Sequence, residues 1–280
     1  MGKNRQFDKR QVGLPRQARL PINRCNLPAV ILGSLTFQRH PDILAIDGVR
    51  ELHRALFDDL RNVASAEQRA LRFTAYMHSA FLLEHPDEVG LDPDCGRPRH
   101  RIDYRRLLRG WLFDSDSAEA AVLKGWVESR FGLLARKHEG RLHSGDTDWE
   151  HRYAVARTNG LYNTNALEAQ LDLLFTYCQF ELGLTHGTKA RLRLYRGING
   201  IGNHEILARP GHGRYVLVLN NLSSFSSSRE RADEFGDIVI AADVPVSKLL
   251  YVPALLPGLL RGEDEFLVIG GVYEVAVATG

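Results

Sequence analysis

The apolar positions of the chain change period about two-thirds of the way along it. In "DGVRELHRALFDDLRNV", Val49, Leu52, Leu56 and Leu60 recur at helical spacing, which predicts one amphipathic helix with these four on its inner face. "SAEQRALRFTAYMHSAFLLEH" and "SDSAEAAVLKGWVESRFGLL" continue that period, and Asp116 with Glu119 is spaced as a capping pair for the second. "NTNALEAQLDLLFTYCQFELG" predicts the clearest helix. It has an Asn/Thr cap, the stripe Leu167, Leu171, Leu174 and Cys178, and Gly183 as a stop. From about residue 190 the runs shorten to "ARLRLYRGI", "RYVLVLNNL", "GDIVIAADV", "SKLLYV" and "EFLVIGGVYEVAVA". These are β-branched and aromatic segments set between Gly, Pro and Asn, the pattern of strands.

Helices first and strands later predict an α+β fold rather than alternating βαβ units. The chain divides into a polar tail over 1–21, a mainly helical part over 22–188 and a β-rich part over 189–280. The last two are expected to form one compact unit.

Composition narrows the function classes. The 280 residues, 44% hydrophobic and 25% charged, suffice to bury a core. A net charge of +2 sets up no global field for nucleic acid or membrane. The longest apolar stretches, "LPAVILGSL" and "YVPALLPGLL", are too short to span a bilayer and are broken by Pro or Gly. "MGKNRQFDKRQ" lacks the apolar segment of a secretory signal. Cys25, Cys95 and Cys178 form neither a disulfide framework nor a paired metal spacing, so a cytoplasmic protein is expected. His138, His143 and His151 near Glu139 and Asp146 match no common metal motif, and no metal is expected.

Several stretches could carry chemistry. "RGINGIGNH" lacks the spacing of a dinucleotide or P-loop motif and reads as a loop after a strand. In "RLRLYRGI" the two-residue period puts Arg196 with Leu192 and Leu194 at a strand end. There it either reaches out to solvent or offers a fixed fork to a phosphate or carboxylate. "NNLSSFSSSRERADEFG" reads as a capping loop, or as hydroxyls that fix a carboxylate. In "GEDEFLVIGGVYEV", a strand starting at or before Glu263 puts Glu263 and Glu265 on one face with Asp264 opposite. Paired carboxylates on one face are tolerated in solvent or around a cationic substrate. "GRPRHRIDYRRLLRG" gathers Arg97, Arg99, Arg101, Arg105, Arg106 and Arg109, as a solvated helix start or a docking surface for an acidic partner.

Taken in order, Tyr-Arg-Gly at a strand end, Phe-Ser-Ser-Ser with a following Ala and Phe-Gly, and Glu-x-Glu opening an apolar strand resemble the R-S-E signature of arginine-specific mono-ADP-ribosyltransferases. The serine motif departs from the usual Ser-Thr-Ser by being all serine. More narrowly, "NRCNLPAVILGSLTFQRHP", "ALEAQLDLLF", "LYRGING" and "FSSSRERADEFGD" resemble the bacterial dinitrogenase reductase ADP-ribosyltransferases.

This resemblance implies two facing, mainly antiparallel sheets with a helical N-terminal part, NAD+ as co-substrate in the β-rich part, and dinitrogenase reductase as the acceptor. It also implies a PII-type nitrogen-signalling protein as regulator. Glu265 would stabilise charge on the ribose, and Glu263 would align the acceptor guanidinium and take its proton. Ser226 would orient Glu265, with Ser227 as the other candidate. Arg196, Gly197 and Phe225 would contact NAD+. Other readings stay open: a different acceptor, simple NAD+ hydrolysis, or a non-catalytic NAD/ADP-ribose-sensing module.

Overall fold

The computed structural model of the chain describes residues 13–84, 103–142, 145, 147–161, 164, 166–259 and 264–278. Of the expected tail, residues 1–12 lie outside the described residues, but 13–21 are packed: Leu14 and Ala18 are buried and Arg19 forms a β-bridge to Leu133. Arg97, Arg99 and Arg101 of the arginine-rich stretch lie outside the described residues, as do His143 and Asp146. The helical part comprises α1 (Ala29–Leu32), α2 (Leu35–Arg39), α3 (Val49–Leu52), α4 (Arg54–Arg61), α5 (Ala66–Ala80), α6 (Tyr104–Phe113) and α7 (Ala118–Phe131). A small strand pair follows, β1 (Lys137–His138) and β2 (Gly140–Arg141), then α8 (Thr147–Leu161) and α9 (Leu167–Thr185). The β-rich part holds β3 (Arg191–Ile198), β4 (Glu205–Gly211), β5 (Arg214–Phe225), α10 (Arg229–Asp233), β6 (Ile238–Pro245), β7 (Leu249–Tyr251) and β8 (Phe266–Val277). The described strand pairs are antiparallel, and the α+β expectation holds.

β8 is the shared strand. β5 lines one of its edges, while the other takes β7 near Val268 and β6 near Val275. β5 has β4 beside its first half and, just past its end, a bridge from Ser226 to Tyr195 of β3. Because β3 and β6 pair over all of Arg191–Ile198, the path closes on itself. The two sheets implied by the resemblance are two halves of one connected six-stranded path.

The halves divide where β5 slips register between Leu219 and Leu222. Such a bulge bends a strand and re-aims its side chains, and Asn220 and Asn221 occupy it. The Asn221 amide donates to the carbonyls of Lys124 (2.8 Å) and Leu133 (3.1 Å), and Asn220 Oδ1 accepts from the Arg136 N–H at 2.7 Å. The bulge is thus a joint between sheet and helices. Opposite it, a side chain on Gly270 would run into the Asn220 carbonyl.

Local sequence accounts for most helices, with three differences from expectation. The first predicted helix is two, α3 and α4, because the chain turns at His53, whose ring bonds the Tyr76 hydroxyl at 2.9 Å. Leu56 and Leu60 are buried, but Leu52, before the break, is 80% exposed. α7 is capped by Ser117, whose hydroxyl accepts from the Ala120 N–H at 3.1 Å. Asp116 instead meets buried Lys124 at 3.0 Å. α9 buries Leu167, Leu171, Leu174 and Cys178 as expected, but it runs through Gly183 to Thr185 and starts without a side-chain cap.

One apolar cluster takes residues from both parts, among them Phe73, Trp126, Tyr177, Leu249, Val268 and Tyr273. Inside it lies a lysine. Lys248 is fully buried; its Nζ donates to the Gly270 carbonyl at 2.6 Å and sits 4.8 Å from the Tyr273 ring centre. Burial pulls its amine down from 10.5 to about 7. Between these values the unfolded chain holds a proton that the folded chain does not, so stability rises with pH across that window and this contribution is lost as pH falls to 7. Denaturation midpoints measured from pH 6.5 to 9.5 should therefore show Lys248→Met with a flatter pH dependence than wild type. The difference should be on the order of 1 kcal/mol per pH unit.

Candidate active site

The ends of three strands meet at the Tyr195–Ser226 bridge, where each backbone N–H donates to the other residue's carbonyl at 2.8 Å. The bridge sets β3 beside the end of β5, and Arg196 then reaches across. Its Nη1 donates to the Ser224 carbonyl at 2.6 Å, and its guanidinium carbon lies 6.0 Å from the Phe225 ring centre. Burial weighs against the Arg196 charge and lowers its pKa, while the negative charge of Glu265 opposes this. Arg196 is therefore turned in onto the end of β5, within reach of the charge of Glu265, rather than out to solvent.

Glu265 stands one residue before β8, next to the Phe225–Phe266 pair. Its Oε1 accepts from the Trp111 indole N–H at 3.2 Å, and the same N–H donates to Ser224 Oγ at 2.9 Å. Trp111 comes from the helical part. Tyr104, Leu107, Leu108 and Trp111 form the buried stripe of α6, whose N-cap Asp103 accepts from the Arg106 N–H at 2.9 Å.

The serine loop does something else. The Ser226 hydroxyl donates to Asp264 Oδ2 at 2.7 Å, and the Ser227 hydroxyl donates to the same carboxylate at 2.8 Å. Backbone N–H groups of Ser227 (2.9 Å) and Ser228 (3.1 Å) join them. Burial alone would raise the Asp264 carboxyl, but these donors hold it below the usual carboxylate range. Ser228 caps α10 by accepting from the Arg231 N–H at 3.2 Å, as the capping-loop reading has it.

This geometry revises several sequence expectations. The Ser226 hydroxyl proton goes to Asp264, and Ser224 Oγ shares the Trp111 indole N–H with Glu265 Oε1. Phe225 is 2% exposed and lies beneath Arg196, so it offers no face to a nicotinamide ring. A side chain on Gly197 would run into the Ala232 carbonyl; this glycine lets β3 pack against the turn at Phe235–Gly236. Paired-strand geometry begins at Phe266, so alternation does not govern Asp264 and Glu265, and Glu263 lies outside the described residues. His204 was not singled out by sequence: burial and the charge of Arg196 lower the pKa of its ring.

The sequence model for dinitrogenase reductase ADP-ribosyltransferases matches residues 22–277. A curated protein of Rhodospirillum rubrum, NAD(+)--dinitrogen-reductase ADP-D-ribosyltransferase, is 37% identical over 257 residues, covering 90% of this chain and 93% of its own. The chain belongs to the dinitrogenase reductase ADP-ribosyltransferase family. No solved structure matches it.

Within this ADP-ribosyltransferase, Arg105 and Arg106 are engaged locally, with Asp103 at 2.6 Å and Glu119 at 3.2 Å. That makes them helix-start pairs first. Among the described residues, no group of three or more His, Cys, Asp or Glu is placed to hold a metal, and no helix is long and apolar enough to cross a membrane.

The Asp264 clasp has a measurable consequence. Hydrogen bonds to a charged group are worth about 1.5–3 kcal/mol, so Asp264→Asn should speed amide exchange at Ser227 and Ser228 by roughly tenfold or more. Exchange over β6, remote from the clasp, should stay as in wild type. Unchanged exchange at both serines would mean that the loop is ordered without the carboxylate.

Proposed function

We propose that this chain transfers ADP-ribose from NAD+ to an arginine of dinitrogenase reductase, the acceptor named for its Rhodospirillum rubrum relative. The observation that carries the reading is the family match over residues 22–277. Support comes from Glu265, close enough to Arg196 for its charge to act on the guanidinium.

In the reaction the bond between nicotinamide and ribose C1′ breaks, and its electron pair neutralises the pyridinium nitrogen. Positive charge develops on the ribose, as in glycoside cleavage. Glu265 accepts a hydrogen bond from the ribose 2′-hydroxyl and stabilises that charge where water is scarce. Arg196 neutralises a pyrophosphate oxygen of NAD+ with a fork that a lysine could not reproduce. A guanidine nitrogen then bonds to C1′ and its proton leaves. A guanidinium has a pKa above about 12, so its proton needs a partner as the bond forms. Glu263 aligns the acceptor and takes it. The enzyme works in the cytoplasm under a PII-type nitrogen-signalling protein, as the family resemblance implies.

Separating the two glutamates tests this reading. Wild-type protein given labelled NAD+ and dinitrogenase reductase should label that protein and release nicotinamide. Glu263→Gln should abolish labelling but keep slow nicotinamide release, because water needs no guanidinium alignment. Glu265→Gln should lose both by orders of magnitude. Near wild-type labelling by Glu263→Gln would reject its role and arginine as the acceptor. Nicotinamide release with no labelling by wild type would leave an NAD+ hydrolase.

A further inference from the structure

We infer that Trp111 is a positioning residue for Glu265, so that α6 of the helical part completes the catalytic group; this rests on the proposed transferase reaction. The indole N–H lies 2.9 Å from Ser224 Oγ and 3.2 Å from Glu265 Oε1, one donor bridging the end of β5 and the start of β8. Nothing at these distances is accidental packing of an apolar ring. A buried indole N–H needs an acceptor, and here its acceptors are a serine hydroxyl and the carboxylate proposed to act on the ribose.

Three features fix the indole in place. It ends the buried stripe of α6, so the helix sets its height above the sheet. Lys124 Nζ lies 5.8 Å from its ring centre, and that lysine is itself anchored by the Ser115 carbonyl at 2.7 Å and Asp116 at 3.0 Å. A cation over the ring draws electron density from it, which makes the N–H a stronger donor to a carboxylate. Finally, the Ser224 carbonyl is bonded by Arg196, so Trp111, Ser224, Arg196 and Glu265 form one connected set.

The consequence is a division of labour. Glu265 stands one residue before the paired run of β8, so strand pairing alone does not set its side chain. A donor held by a helix favours one rotamer before NAD+ binds. Trp111 touches neither NAD+ nor acceptor in this role, so its loss should lower turnover more than substrate binding.

Trp111→Phe keeps an aromatic ring in the buried site but removes the N–H, along with part of the indole's volume. Nicotinamide release by this variant should show kcat reduced by about ten- to a hundredfold, the effect expected of a misplaced catalytic group, with KM for NAD+ changed less than about threefold. A folded variant with wild-type kcat would overturn the inference. So would a rise in KM at unchanged kcat. The second measurement does not depend on that variant folding. In an indole-labelled nitrogen–proton spectrum, Glu265→Gln should move the Trp111 Nε1–H resonance upfield, because a neutral acceptor replaces a charged one. Trp126, whose N–H donates to Asp172 at 2.7 Å, should stay in place. A Trp111 resonance unmoved in Glu265→Gln would also overturn it. Failure of the transferase reading is separate: wild-type protein would then release no nicotinamide at all, while the resonance would still report the contact.

Discussion

Two backbone hydrogen bonds between Tyr195 and Ser226, each 2.8 Å, hold together what the rest of the site depends on. They join the end of β3 to the end of β5, strands that otherwise pair with different neighbours. With that pair made, Arg196 is delivered to the Ser224 carbonyl, and the β5–β8 register delivers Glu265 to the same place. An arginine from one strand and a glutamate beside another are thereby linked through Ser224 and Trp111, though they lie far apart in sequence.

The helical part contributes more than cover. The bulge at Asn220 and Asn221 ties β5 to the segment around α7, and α6 lowers Trp111 onto the strand ends. Charges are matched locally on both sides of this joint. Arg69 and Glu181 form a buried two-pronged pair at 2.7 Å between α5 and α9, and Arg130 meets Asp172 at 2.7 Å between α7 and α9. A buried charge left alone is strongly unfavourable. These pairs therefore hold α5 and α7 to α9 in one arrangement.

Much of this was legible in the sequence, and the exceptions have physical causes. The stripe of α9 and the run of β8 could be read because long periodic segments leave little choice of face. The break at His53 could not, because it depends on Tyr76, 23 residues away. Arg196 and Glu265 were legible as members of an ordered set of motifs. The partners of the serines were not: Ser226 and Ser227 close on Asp264, a loop contact that spacing alone does not reveal, while Ser224 Oγ shares the Trp111 N–H with Glu265. Trp111 left a readable trace in the apolar spacing of "YRRLLRGWLF", but nothing in that spacing says which carboxylate its N–H would find.

The central claim is that Arg196 binds NAD+ while Glu265 acts on the transition state. Titration calorimetry with NAD+ on the two variants tests it most directly. Glu265→Gln should bind NAD+ within about threefold of wild type, since an interaction made only in the transition state leaves ground-state affinity alone. Arg196→Lys should bind it roughly tenfold more weakly or worse, because a point charge replaces a fork. The reverse pattern, with affinity lost in Glu265→Gln and kept in Arg196→Lys, would contradict the account.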